Sequence, residues 1–119
     1  MQPFEKAALI AKCIDDKKGK KIQVLQVGEL TSIADYFVIA SATSSTQVKA
    51  IADEVEEKLR TQGEAPIHME GFNSATWVLI DYADVVVHVF MEETREFYGI
   101  ERLWADAKEI KIDGIGLDA

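Results

Sequence analysis

The chain has 119 residues, of which 48% are hydrophobic, and a formal net charge of −8 at pH 7. This is enough apolar material for one domain with its own core, and no apolar run reaches the roughly 18 residues that a membrane span needs. The negative charge argues against a broad nucleic-acid-binding surface, because phosphates would repel it. The negative charge is compatible with binding to a basic protein partner, although acidic residues can also act only to keep a protein soluble.

Two features predict a cytoplasmic location. Cys13 is the only cysteine, so no intrachain disulfide can form, as is usual in a reducing compartment. The first residues, Met-Gln-Pro-Phe-Glu-Lys, lack the long apolar run of a secretory signal. We therefore expect a protein of the cytoplasm.

The first part of the chain alternates between helical and strand patterns. The patterns predict, in chain order, a helix from Pro3 that Gly19 ends, strands over 22–27 and 35–41, a helix that Ser44 caps and Gly63 ends, and a strand over 66–71. The run over 35–41 is apolar on both faces, which is typical of an interior strand. Ser44 and Gln47 match a capping box, which marks the start of the second helix.

The stretch from Thr76 to Phe90 is the centre of the predicted fold. Its two apolar runs flank Asp81-Tyr82-Ala83-Asp84, which predicts a two-residue hairpin turning at Tyr82 and Ala83. In that register Trp77 lies opposite His88, and Leu79 lies opposite Val86. Side chains alternate across a strand. One face is therefore aliphatic (Thr76, Val78, Ile80, Val85, Val87 and Val89), and the other is mixed (Trp77, Leu79, Asp81, Asp84, Val86, His88 and Phe90).

After the hairpin, a polar turn from Glu92 begins a helical segment that Gly99 divides into two short pieces. Glycines and scattered charges after Asp106 suggest a loosely held tail, so we predict one domain over residues 1–107 and a tail over 108–119. The element order predicts an α/β (α+β) domain. Its mixed β-sheet has about five strands, with the two long helices on the aliphatic face.

The mixed face of the hairpin is the candidate partner-binding surface, because two helices cover only part of a sheet. Arg95 and Tyr98 are three residues apart and can project together from the following helix. Tyr, Trp and Arg are the residue types that most often anchor interfaces. The candidate residues are Trp77, Leu79, Asp81, His88, Phe90, Arg95, Tyr98 and Trp104. The alternative is that the aromatic residues fill the core and that Arg95 pairs with a nearby acid.

The sequence offers little support for catalysis or for a cofactor. It has no Gly-x-Ser-x-Gly motif and no glycine-rich phosphate loop. Asp81 and Asp84 are close enough across the turn to bind a metal, but such residues more often make turn hydrogen bonds. His68, Glu70 and His88 lack the fixed spacing of a zinc site. We expect no metal and no catalytic residue.

Three blocks of sequence resemble a known family. They are Asp35-Tyr36-Phe37-Val38-Ile39 with Ser44-Ser45-Thr46-Gln47-Val48, then Glu70-Gly71 with the hairpin, and then Arg95-Glu96-Phe97-Tyr98 with Ile100-Glu101-Arg102-Leu103-Trp104. In this order they resemble the ribosomal silencing factor (Iojap-like) family over nearly the whole chain. Ala83 departs from the pattern, because the family usually has glycine at that turn position.

The resemblance implies a nucleotidyltransferase-like fold without that activity, since the Gly-Ser motif and paired aspartates of active enzymes are absent. It also implies binding to the large ribosomal subunit through ribosomal protein L14. Such binding would block association with the small subunit and repress translation when nutrients are scarce. Homodimers are implied as well.

Two alternatives remain open from the sequence. The chain could be a nucleotidyltransferase-like or metal-dependent enzyme that uses Asp81, Asp84 and His88. It could instead be an assembly factor that binds the large subunit before it matures.

Overall fold

The computed structural model describes residues 1–112 and 114–115. The elements are α1 (Pro3–Asp16), β1 (Lys20–Gln26), β2 (Tyr36–Ala42), α2 (Ser45–Thr61), β3 (His68–Glu70), β4 (Trp77–Asp81), β5 (Val85–Met91), α3 (Glu92–Tyr98), α4 (Ile100–Leu103) and β6 (Lys108–Ile110). The strands form one sheet in the order β3-β4-β5-β2-β1-β6. The sheet is mixed, because β2 and β5 run parallel whereas the other neighbouring strands are antiparallel.

The two long helices cover one face of the sheet, as predicted, because each carries an apolar stripe at spacings of three and four residues. Ala7, Ile10 and Ile14 of α1 are fully buried against the aliphatic face. The Oγ of Ser44 accepts a hydrogen bond from the backbone N–H of Gln47 at 3.1 Å and so caps α2. Burial of these stripes and of the aliphatic strand residues forms the main core.

The sheet has six strands rather than the expected five or so. The extra strand is Lys108–Ile110, which lies in the segment that sequence patterning places in a tail and which pairs antiparallel with β1. Three residues with two charges carry too weak a strand pattern to be recognised alone. The exposed edge of β1 supplies the partner that turns them into a strand.

The hairpin register differs from the predicted one by two residues. Trp77 pairs with Phe90 and Leu79 pairs with His88. The turn is displaced by one residue, to Ala83 and Asp84: Tyr82 N–H donates to the carbonyl of Val85 at 2.9 Å, and the Asp81 carboxylate accepts from Ala83 N–H at 2.7 Å. A shift of two residues keeps every side chain on its predicted face, because the alternation also has a period of two.

The second face of the sheet carries its own smaller core. Leu25, Phe37, Ile39 and Phe90 pack there beneath Ile100 of α4, with Trp104 partly buried against them. The mixed face is therefore covered at its centre and remains partly exposed along β4. This is the feature that positions the candidate site.

Candidate partner-binding surface

Trp77 stands at the border between the covered and the exposed part of the second face. Its indole ring stacks on Phe90 with 4.7 Å between ring centroids and an interplanar angle of 28°. Its Nε1–H donates to Nδ1 of His88 at 3.2 Å. One side of the indole is thus fixed by the core, while the side chain as a whole is only partly buried.

Gly71 allows the chain to pass close to the start of β4. Its φ is +83°, and a Cβ at this position would lie 2.0 Å from the carbonyl oxygen of Trp77. Only glycine combines this left-handed conformation with so close an approach between two backbones. The loop before β4 therefore depends on a residue that has no side chain.

His88 lies beneath this surface rather than on it. His88 is 6% exposed, and its imidazole ring is surrounded by the rings of Trp77, Phe90 and Phe37. The ring of Phe37 packs edge-on against the imidazole, with 5.2 Å between the ring centroids. Burial lowers the pKa of His88 to about 4, so the imidazole is neutral at pH 7. Because Nδ1 accepts from Trp77, the proton is on Nε2, which has no hydrogen-bond partner among the described residues.

Helix α3 extends the exposed apolar surface next to Trp77. Tyr98 lies against the indole of Trp77 with 5.1 Å between ring centroids, and Phe97 meets Tyr98 edge-on at 5.0 Å. Phe97 is 78% exposed and Tyr98 is 52% exposed. We define the aromatic patch as Trp77, Leu79, Phe97 and Tyr98. Large side chains that stay exposed together in this way mark interaction surfaces.

Acidic side chains border the aromatic patch. Asp81 follows Leu79 on the same face of β4, and Glu70 of β3 pairs directly across from Leu79. The patch therefore has an apolar centre and an acidic rim, and the whole chain has a net charge of −8. Such a patch is complementary to a basic surface that presents an apolar residue.

Arg95 is buried, and its guanidinium bonds four groups of the protein itself. Nε donates to Glu101 Oε2 at 2.9 Å, Nη1 donates to the Lys21 carbonyl at 2.7 Å and to Ser41 Oγ at 3.0 Å, and Nη2 donates to Gln23 Oε1 at 2.8 Å. Burial opposes ionisation of Glu101, but a backbone N–H and Arg95 outweigh it, so the pKa of Glu101 lies below its usual value. Arg95 therefore belongs to the scaffold.

The structure thus divides the eight candidate residues. Trp77, Leu79 and Asp81 are partly exposed and Tyr98 is exposed, so these four can meet a partner. His88, Phe90 and Arg95 are buried, which corrects their assignment to the surface. Trp104 is partly buried and packs edge-on against Phe37 at 5.0 Å, so much of its ring serves the second core.

Sequence reasoning missed two exposed apolar residues, Phe97 and Leu103, each of which is 78% exposed. Both lie in the two short helical pieces after the hairpin, which the sequence predicted without assigning these two residues to the surface or to the core. The available signal was length: helices of seven and four residues are too short to bury all their apolar side chains.

The residues considered for metal binding have other partners. Asp81 holds the backbone of the hairpin turn, and Asp84 pairs with Lys6 Nζ at 2.8 Å. His68 and Glu70 lie 3.3 Å apart on the exposed edge strand, and the buried His88 does not join them. Within residues 1–112 and 114–115, no group of three or more His, Cys, Asp or Glu side chains is arranged to hold a metal ion.

No helix among the described residues is long and apolar enough to span a bilayer.

Three comparisons place the chain among known proteins. Residues 2–119 match a family described as "Ribosomal silencing factor during starvation". The chain is 40% identical to the ribosomal silencing factor RsfS of Halalkalibacterium halodurans, over 97% of this chain and 98% of the relative. It is 41% identical to RsfS of Bacillus subtilis, over 88% and 89% of the two chains.

The fold is similar to that of a solved relative. A crystal structure of protein CV0518 from Chromobacterium violaceum aligns with a TM-score of 0.87 at 36% identity. The alignment covers 98% of this chain and 97% of the solved one.

Proposed function

Because the chain belongs to the ribosomal silencing factor family, we propose that it binds the large ribosomal subunit in the cytoplasm and represses translation under nutrient limitation. The aromatic patch contacts ribosomal protein L14 on the face that meets the small subunit. A protein docked there prevents the two subunits from joining. The mechanism is steric and uses no catalytic residue and no cofactor.

The observation that carries this proposal is the aromatic patch itself. Phe97 and Tyr98 are exposed and lie together beside the partly exposed indole of Trp77, and acidic residues border the patch. Aromatic anchors surrounded by polar groups are the usual centre of a protein interface. The acidic rim favours a basic ribosomal surface over an acidic or neutral one.

The size of the domain is sufficient for a steric block. Its principal extents are 33 × 32 × 27 Å, whereas a subunit bridge requires atoms of the two subunits to come within contact distance. A rigid body of this thickness between the two surfaces is incompatible with that contact. Occupancy therefore depends only on the affinity of the patch and on the abundance of the protein.

Co-sedimentation with purified large subunits tests the site. Replacing Trp77 by Ala removes the ring on which Tyr98 rests, and truncation of a central aromatic anchor typically weakens binding by about thirtyfold. Phe4→Ala is the matched control, because Phe4 is a 44% exposed aromatic residue on α1, across the sheet from the patch. Equal binding by the wild-type, Trp77→Ala and Phe4→Ala proteins would contradict the proposed site.

The partner and the outcome need separate measurements. The affinity for isolated L14 protein should follow the same order, with Trp77→Ala weaker than the wild type and Phe4→Ala. In light scattering of mixed subunits, fewer subunits should join in the presence of the wild-type protein than in the presence of Trp77→Ala. Sedimentation of the free protein at rising concentration tests whether it forms the homodimer that family resemblance implies.

A role in large-subunit assembly is the second candidate. It is favoured by one relative, the mouse protein named "Mitochondrial assembly of ribosomal large subunit protein 1", which is 28% identical over 81% of this chain and 43% of that protein. If the protein is an assembly factor, cells depleted of it should accumulate immature large-subunit particles. Depletion of a silencing factor should leave mature particles and excess joined ribosomes in starved cells.

A further inference from the structure

We propose that Arg95 is the positioning residue of the aromatic patch: it holds α3 to the sheet by polar bonds, so that the helix can expose its aromatic residues. The consequence for ribosome binding rests on the proposed function, whereas the consequence for the order of α3 does not.

Helix α3 is attached to the domain in an unusual way. Helices normally dock by burying apolar residues and exposing charged ones. In α3 the only buried residue is Arg95, at 6% exposure, whereas Phe97 and Tyr98 face outward. Phe97 is thus left for a partner, Tyr98 keeps about half of its surface exposed beside Trp77, and Arg95 supplies the buried attachment of α3.

The sheet is shaped to receive this arginine. The pairing of β1 with β2 is irregular between Lys20 and Gln23, and Lys21 adopts a left-handed φ of 49°. This bulge offers the Lys21 carbonyl to Nη1, while Ser41 of β2 supplies a second acceptor. A bulge that turns a backbone group toward a side chain is a common device beside binding sites.

The bonds of Arg95 also connect the two short helices. Gly99, with a φ of +52°, ends α3 and allows the chain to turn into α4. Glu101 of α4 then accepts from Nε of Arg95. Helices of seven and four residues are not stable by themselves in water. Their order therefore depends on attachment, and Arg95 makes the bonds that join them to each other and to the sheet.

Tyr98 transmits this order to the patch. It lies one helical turn after Arg95 and rests on the ring of Trp77. When α3 is held, Tyr98 and Phe97 are fixed beside the indole before a partner arrives. Such preorganisation raises affinity, because the partner need not order the helix on binding.

Amide hydrogen exchange and NMR of the free protein test the positioning role. In Arg95→Ala we expect α3 amides to exchange at least tenfold faster, amides of β2 and β5 to change less than threefold, and the Tyr98–Trp77 ring contact to be lost. Arg95→Lys should not rescue the contact, because a lysine lacks the fork that reaches four acceptors. Arg60→Ala is the control, since Arg60 is an exposed arginine of α2, which covers the other face of the sheet.

Two results of this measurement would overturn the inference. One is an unchanged α3, which would show that Arg95 does not hold it. The other is equal acceleration of α3 and the central strands, which would make Arg95 a residue of general stability. Glu101→Gln keeps the shape and removes one charge, so it gives a milder form of the same test if Arg95→Ala does not fold.

A double-mutant cycle measures the effect on binding to large subunits. Arg95→Ala should weaken binding by at least tenfold in the wild type but by less than threefold when Tyr98 is already Ala, because Arg95 acts through that ring. Equal losses in both backgrounds would refute action through Tyr98. If the wild-type protein does not bind large subunits, the proposed function fails, and the exchange experiment still decides the role of Arg95.

Discussion

The indole N–H of Trp77 donates to Nδ1 of His88 at 3.2 Å, and this bond joins an exposed surface to a buried ring. The acceptor must be a neutral imidazole, because a protonated ring has no free nitrogen lone pair. Burial in an aromatic environment keeps it neutral. His88 thus orients Trp77 without contacting a partner.

Removing the indole N–H should destabilise the domain although the stacking is kept. Trp77→Phe retains an aromatic ring over Phe90 but leaves the buried Nδ1 of His88 without a donor. An unsatisfied buried polar atom costs about 1–3 kcal/mol, which urea denaturation can resolve.

The same experiment with His88→Leu identifies the cause. If the lost hydrogen bond is responsible, Trp77→Phe should cost clearly less in the His88→Leu background than in the wild type. Equal costs in the two backgrounds would assign the effect to the smaller ring instead.

The pH dependence of stability should reflect His88. The unfolded chain takes up the histidine proton near pH 6.5, whereas the folded protein does so only near pH 4. The unfolded state therefore binds more protons between these values. We expect the free energy of unfolding to fall as pH falls from 6.5 to 4, by up to about 3 kcal/mol, and His88 to contribute almost no pH dependence above about pH 8.

Urea titrations at several pH values check this expectation. His88→Gln should flatten the slope of stability against pH in this range. The matched variant His68→Gln removes the other histidine, whose side chain lies on the exposed edge strand, and should keep the wild-type slope. A wild-type slope in His88→Gln would contradict the assignment.

Lys6 should matter more for stability than Lys12, the other lysine of α1. Lys6 is 5% exposed and pairs with Glu64 at 2.7 Å and with Asp84 at 2.8 Å. Lys6→Ala leaves two partly buried carboxylates without their cation, which we expect to cost about 3 kcal/mol. Thermal or urea unfolding measures this loss.

Lys12→Ala on the same helix is the control for Lys6→Ala. Lys12 and Asp16 are both largely exposed, and their charged atoms are 3.9 Å apart. Such a surface pair contributes about 0–0.5 kcal/mol. Similar losses in the two variants would contradict the role of the buried ion pairs, and helix propensity cannot produce a loss, because alanine is a better helix former than lysine.

Ala83→Gly should stabilise the protein. Ala83 has a φ of 74°, which is the left-handed conformation that a side chain disfavours, and it is exposed at the hairpin turn. Glycine removes that strain, so we expect a gain of about 0.5–1 kcal/mol. Ala8→Gly, within α1, should instead destabilise by about 1 kcal/mol. A loss of stability in Ala83→Gly would show that the strain is small.

Most of the architecture was predictable from local patterns. The capping residue Ser44, the apolar stripes of the two long helices and the period-two alternation in the hairpin each depend on neighbours within a few residues. The sheet face of Trp77 was predicted correctly although the register was wrong, because a shift of two residues leaves each side chain on the same face. The sixth strand was missed, since Lys108–Ile110 depends on the distant edge of β1.

The site was less predictable than the fold. Sequence by itself determined which residues share a face of the hairpin, because that follows from backbone alternation, and it determined the acidity and the family resemblance. Only the tertiary structure decided that Phe90 and His88 are covered while Phe97 is exposed, and that Arg95 binds the sheet rather than a partner. Exposure depends on which distant segments pack over a residue, and spacing along the chain does not encode that packing locally.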